Sequence, residues 1–229
     1  MTASPALAHF SAVPLFQRLA PAERDLVAPH CRVEVHEKGA TIFEEGERAV
    51  DLAFVVLGRV KMVKAAQARD VILGLFGPGE PIGAVAVFEG RPYPATAVAL
   101  EPTTVLRVPE RELFAVVDAH PEITRRLLQG LMLRQIELTS RLADLTGTVE
   151  YRIGRLFLTL AQRVGRREGA AVEIALPLSR RDIADLSATT IETAIRVMSR
   201  WGKEGLVTTR EGGFAIPDVE ALERRVERR

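Results

Sequence analysis

The sequence predicts an α+β protein: a small β-sandwich, roll or barrel, then a long helix, then a winged helix-turn-helix. Three patterns carry that expectation. Short β-prone runs recur between glycines from Arg32 to Val108, which suits a compact all-β unit. A leucine rhythm at steps of three and four runs from Leu128 to Leu145, as in a coiled coil. Two short helical patterns joined by a tight turn stand ahead of a Gly-Gly hairpin signal near the C-terminus.

Length and composition set the frame. The 229 residues suit one to two domains at about 150 residues each. With 47% hydrophobic residues and 27% charged ones spread along the chain, a packed core is expected and wholesale disorder is excluded. The longest uncharged apolar stretch, Ile82 to Phe88, falls short of the roughly 18 residues a membrane helix needs. No Lys or Arg precedes Arg18, so the basic start of a signal peptide is missing and a cytoplasmic location with no membrane partner is expected. A lone cysteine, Cys31, excludes an internal disulfide framework and any all-cysteine metal cage in one chain. Charge is nearly balanced, 31 Lys and Arg against 30 Asp and Glu. Residues 1–139 hold 15 basic and 17 acidic side chains, whereas residues 140–229 hold 16 and 13. This mild basic excess permits a nucleic-acid partner without requiring one.

Taken in order, the chain starts helical. Pro21-Ala-Glu-Arg-Asp opens a short run in which Leu19, Leu26 and Val27 are expected to share a face. The β-prone runs follow: Val33–Val35, Thr41–Phe43, Leu52–Leu57, Val60–Lys64, Val71–Phe76, Ala95–Leu100 and Val105–Val108. From Pro109 the pattern is helical for some 35 residues. Leu128, Leu131, Gln135, Leu138, Leu142 and Leu145 form its a/d stripe, with Gln135 a polar interruption able to set register. A homodimer seam is the favoured reading, and packing of an amphipathic helix on its own domain is the alternative.

The segment from Leu178 to Trp201 is the most informative. Ser179 and Asp182 form a capping-box-like start, and Ile183, Ala184 and Leu186 supply a buried stripe. Ser187-Ala-Thr189 interrupts the helix, and Thr190 is the expected N-cap of the next one. There Ala194, Val197, Met198 and Trp201 share the buried face, while Ile191, Glu192, Ile195, Arg196, Ser199 and Lys203 look outward. Arginine can bond guanine O6 and N7 together, glutamate can accept from cytosine N4, and isoleucines suit thymine methyls. Glu192 and Arg196, one turn apart, can therefore address the same or adjacent base pairs in a major groove. A solvated i,i+4 ion pair is the alternative. Arg200 and Lys203 are expected to meet phosphates, and Thr190, Ser179 and Arg180 complete the expected DNA contacts.

These segments together resemble the Crp–Fnr superfamily of bacterial transcription regulators over roughly residues 10–220. The matching pieces are Phe43-Glu-Glu-Gly46-Glu47, Phe54-Val-Val-Leu-Gly58-Arg-Val-Lys61, Phe76-Gly-Pro-Gly79-Glu-Pro-Ile-Gly83 and Ile191-Glu-Thr-Ala-Ile-Arg196. The resemblance implies a double-stranded β-helix, or jelly-roll-like, effector-sensing domain at 1–109. A dimerisation helix at 110–146 and a winged helix-turn-helix at 147–229 would follow, binding an inverted repeat as a homodimer, with RNA polymerase as a further partner. It places Glu192 and Arg196 on base-reading positions. Ile191 and Ile195 depart from the arginine and serine found beside those positions in relatives.

The resemblance also aligns Gly83-Ala-Val-Ala-Val-Phe88 with a short phosphate-binding helix, giving an effector pocket of Gly83, Ala84, Val85, Pro94, Ala95 and Thr96. Cyclic-nucleotide binders of the family add a glutamate for the ribose and an arginine for the phosphate. Ala84 and Pro94 stand at those places, so cyclic AMP is not the expected effector, because a buried phosphate without countercharge is costly. The Arg91-Pro-Tyr-Pro-Ala-Thr96-Ala neighbourhood looks more like branches responding to oxygen, nitric oxide or redox state. With Cys31 alone, an iron–sulfur cluster is not expected. Haem stays open, with His9, His30, His36 and His120 as candidate axial ligands, as does control without any effector. A cyclic-nucleotide-responsive regulator, or a regulatory subunit that does not bind DNA, is the alternative. An enzyme is not expected: no His-x-His pair, nucleophile-and-base motif or phosphate-cradling loop stands out, so no catalytic or metal site is assigned.

Overall fold

In a computed structural model, which describes residues 5–67 and 70–227, the chain forms two compact units, Met1–Gln135 and Ile136–Arg229. The outer ends of the expected terminal domains lie outside the described residues.

The first unit begins with helices α1 (Pro5–Ala12) and α2 (Pro21–Val27), then a single 3-10 turn. Strands follow: β1 (Arg32–His36), β2 (Thr41–Phe43), β3 (Asp51–Leu57), β4 (Val60–Lys64), β5 (Val71–Phe76) and β6 (Pro81–Ile82). After helix α3 (Ala84–Glu89) come β7 (Thr96–Ala99) and β8 (Thr103–Pro109). Each of the seven β-prone runs is a strand, and β6 is an addition too short to leave a periodic signal. The strands form two antiparallel sheets, ordered β1-β8-β3-β6 and β2-β7-β4-β5. The orders 1-8-3-6 and 2-7-4-5 make a roll: apart from the β4–β5 hairpin, each strand is followed by one in the other sheet.

Its core joins both sheets to the N-terminal segment. Phe10 stacks on Phe16 at 4.3 Å, and Phe16 meets Phe54 of β3 edge-on at 5.1 Å. Leu19 is buried as expected, but Leu26 is exposed. No residue of the seven-residue α2 is fully buried; Val27 packs half-buried against the core while Leu26 points to solvent, so the two do not share one face.

After β8 the helical stretch is two helices rather than one, α4 (Glu110–Ala119) and α5 (Pro121–Asp144). The break falls at His120 (φ −128°, ψ 82°). Pro121 lacks an N–H and bars its predecessor from the α region, while suiting the first position of a new helix.

In the second unit, the C-terminal part of α5 leads to α6 (Val149–Val164) and the strand pair β9 (Gly165–Glu168) and β10 (Ala171–Ile174). Then come α7 (Arg180–Leu186), α8 (Ile191–Glu204), β11 (Thr208–Arg210), β12 (Gly213–Ile216) and α9 (Val219–Glu227). The sheet order is β11-β12-β10-β9. Phe157 of α6 meets Phe214 of β12 edge-on at 5.1 Å, and Trp201 is fully buried beside Gly154. The expected hairpin after α8 is β11–β12. The β9–β10 hairpin and α9 were not expected.

Candidate nucleic-acid interface and effector pocket

The helix-turn-helix is assembled by local hydrogen bonding. The Ser179 hydroxyl accepts from the Asp182 amide at 3.1 Å, and the Asp182 carboxylate accepts from the Ser179 amide at 2.8 Å. This reciprocal box starts α7. The helix ends in a Schellman motif: the Thr189 amide reaches back to the Ala184 carbonyl at 2.9 Å and that of Ala188 to Asp185 at 3.5 Å. Ala188 occupies the left-handed position usual for glycine, at φ 50°. The Thr190 hydroxyl then accepts from the Thr193 amide at 3.3 Å and opens α8.

Ala194, Val197, Met198 and Trp201 are the buried residues of α8, as its periodicity predicts. Glu192, Ile195, Arg196, Ser199 and Lys203 are exposed along the opposite stripe, with Ile191 half-buried at its start. Among the described residues Glu192 and Arg196 do not pair with each other. Backbone N–H at the helix start, the Thr190 hydroxyl and the charge of Arg181 hold the Glu192 carboxyl below its usual range, so at neutral pH it is an ionised acceptor. Arg181, on the exposed side of α7, is a contributor the sequence reading missed.

Other expected contacts have partners within the unit. Arg200 turns to the flank of α8 and pairs with Glu150 of α6 and, at 3.9 Å, with Glu204; Arg225 of α9 joins the same carboxylates. These carboxylates compete with a phosphate for the Arg200 guanidinium. Arg180 donates to the Thr209 hydroxyl of β11 at 2.6 Å and lies over the Phe214 ring. It fixes α7 against the wing. The Ser179 hydroxyl is occupied in the cap.

Leu128, Leu131, Leu138 and Leu142 of α5, with Leu145 just past its end, are 40–66% exposed, and Gln135 is exposed among them. Met132 flanks this stripe, whereas Leu133 and Ile136 are exposed on the side of the helix turned away from it. Ile123 alone is buried, anchoring the start of α5.

At the effector pocket, α3 starts from Gly83 (φ 78°). A Cβ there would lie 2.5 Å from the Tyr93 ring. Tyr93 stacks on Phe43 at 3.7 Å and donates to the Asp51 carbonyl at 3.3 Å. An aromatic wall therefore lies against the helix start. Ala84 is half-buried, Val85 and Pro94 exposed, Ala95 buried, and the half-buried Thr96 accepts from the Glu45 amide at 3.0 Å. Beneath this wall Arg107 bonds Glu34 and Asp51, and Arg32 also bonds Asp51.

Of the candidate axial histidines, His36 faces Glu34, His120 lies between Glu23 and Glu122, and His30 is 4.0 Å from Glu112. Cys31 is buried, and burial followed by the Glu112 charge pushes its thiol up to about 12, which suppresses the thiolate. No helix among the described residues is long and apolar enough to cross a membrane.

A roll, an exposed leucine helix and a helix-turn-helix with a wing define a two-unit DNA-binding regulator. The family models agree: residues 33–120 match the cyclic nucleotide-binding domain and residues 151–225 the Crp-like helix-turn-helix domain. The chain is 30% identical over 190 residues to a CRP-like cAMP-activated global transcriptional regulator of Mycobacterium tuberculosis, covering 82% of this chain and 85% of the relative. It is 27% identical to the cyclic AMP receptor protein of Thermus thermophilus, covering 92% and 95%. A crystal structure of a CRP-family regulator from Thermus thermophilus superposes with a TM-score of 0.71 at 26% identity, covering 84% of this chain and 96% of that one. The chain belongs to the Crp–Fnr family of transcriptional regulators.

Proposed function

We propose that the protein acts as a homodimer on an inverted-repeat operator, with Arg196 on guanine and Glu192 on cytosine of one G·C pair in each half-site. The observation that carries this reading is the outer stripe of α8. Its two charged readers stand one turn apart, exposed and not paired with each other, although an i,i+4 pair was open to them. Ile191 and Ile195 lie where thymine methyls would be met, and Lys203 is the phosphate contact at the far end. The exposed leucines of α5 supply the dimer seam, and two copies of α8 then reach major grooves about 34–36 Å apart. The role is regulatory rather than enzymatic, exercised in the cytoplasm with RNA polymerase as the further partner. Residues 1–109 sense, 110–146 dimerise and 147–229 bind DNA.

The effector is something other than cyclic AMP, or control is exerted without one. The relatives named above for cyclic AMP leave that ligand as the second reading. Against it stand Ala84 and Pro94, which supply neither a ribose acceptor nor a phosphate countercharge, and Thr96, whose hydroxyl already holds the Glu45 amide.

Random-oligonucleotide selection tests the operator reading. Wild type is expected to enrich an inverted repeat. Arg196→Ala is expected to lose about 1–3 kcal/mol on it and to relax preference at one base pair. Enrichment of no repeat, or an unchanged preference in the variant, overturns the assignment.

A further inference from the structure

Helix C-termini leave carbonyls without partners, and in the second unit two such ends converge on one side chain. Arg152, in the first turn of α6, donates through Nη1 to the Gly147 carbonyl at 2.8 Å and the Leu145 carbonyl at 3.4 Å, just past the end of α5. Through Nε it donates to the Ser187 carbonyl at 2.8 Å, and through Nη2 to the Ala188 carbonyl at 3.2 Å. Those two carbonyls belong to the turn between α7 and α8. Arg141, on the last turns of α5, adds a bond to the Leu186 carbonyl at 3.4 Å. The Schellman bonds of the turn employ its amides and leave these three carbonyls to the two arginines.

The geometry has a consequence for orientation. Both helix ends carry partial negative charge, so without a cation between them they repel. The planar guanidinium presents five N–H groups in a rigid fork, and four bonds of that fork fix the end of α5 against the turn that sets the start of α8. We propose that Arg152 is a positioning residue that locks the recognition helix to the end of the dimer helix and so sets the spacing between the two half-sites that the dimer accepts. A lysine keeps the charge, but its single ammonium has three donors at one point and cannot hold both pairs of carbonyls.

The inference rests on the DNA-binding reading above. The probes are the repeat selected by wild type, the same repeat with one base pair added or removed at its centre, and a duplex carrying one intact half-site. Arg152→Lys is expected to bind the single half-site as wild type does. It is expected to lose about tenfold on the full repeat and to discriminate less among the three spacings. Hydrogen exchange without DNA is expected to quicken together in peptides spanning 144–149 and 185–191. Insertion of one glycine after Gly147, which leaves Arg152 bound to the turn but frees it from α5, is expected to relax spacing in the same way and covers the case of a poorly folded Arg152 variant. Equal losses on half-site and full repeat would reduce Arg152 to a fold-maintaining role. Unchanged spacing preference in both variants would overturn the proposal. If wild type selects no repeat, the operator reading fails and the spacing role with it, while coupled exchange still reports the clamp.

Discussion

Replacing Arg107 by Met tests how the roll is held together beneath the effector pocket. The Arg107 side chain is only 11% exposed, and that of Asp51 4%. Nε donates to Glu34 at 2.7 Å, Nη1 to Asp51 at 2.9 Å and Nη2 to the Ile42 carbonyl at 2.6 Å, so one guanidinium ties β1, β2 and β3 to β8. Burial alone would lower its pKa, and the bonds to Glu34 and Asp51 more than reverse that. Methionine replaces the aliphatic stem but removes the guanidinium, leaving Asp51 with the largely exposed Arg32 at 2.7 Å. Breaking a buried pair in this way costs about 3–5 kcal/mol, which in a unit of this size corresponds to a fall in Tm of ~10–20 °C. The pH dependence changes as well. Burial raises the Glu34 pKa, but the hydrogen bonds and charges of Arg107 and His36 bring it below the ordinary value of 4.5. A depressed carboxylate contributes stability above its unfolded pKa and loses it as pH falls through the folded one. Wild type is therefore expected to lose stability on acidification below about pH 4.5, and the variant to lose less over the same window. Denaturant unfolding from pH 7 to pH 3 measures both. A variant within about 1 kcal/mol of wild type at pH 7, with the same acid slope, would refute the reasoning.

Leu138→Glu places a charge in the α5 seam of both copies and is expected to weaken the dimer about a hundredfold; sedimentation measures it, and a wild type that stays monomeric at micromolar concentration refutes the seam. Calorimetric titration with cyclic AMP is expected to show no binding linked to DNA affinity; such binding would mean the Gly83 site accepts a phosphate despite Ala84 and Pro94. Gly213→Ala would set a Cβ 2.0 Å from the Ile174 carbonyl oxygen, a backbone contact that cannot yield. It is expected to cost about 3 kcal/mol or more and to disrupt the wing, as read by thermal unfolding; a Tm unchanged from wild type contradicts that packing.

The sequence by itself determined most of what depends on neighbours within a turn or two. The faces of α8 follow from 3.6-residue periodicity, the start of α7 from Ser179 and Asp182, and the strands from β-prone runs between glycines. Pro121 carried the signal for the break between α4 and α5, but the helical composition on both sides hid it. The β9–β10 hairpin escaped because β9 is Gly-Arg-Arg-Glu with no buried residue, so it shows no apolar alternation. Tertiary structure alone decided where the long cationic side chains go. Arg200 meets Glu150, fifty positions away in the chain. Arg107 finds Asp51, and Arg152 finds the Ser187 and Ala188 carbonyls. The same holds for Tyr93, whose ring meets Phe43 and closes on Gly83. Periodicity and capping are local and can be read along the chain. A flexible guanidinium reaches several ångströms in any direction, and its partner is whichever carboxylate or orphan carbonyl the returning chain places there.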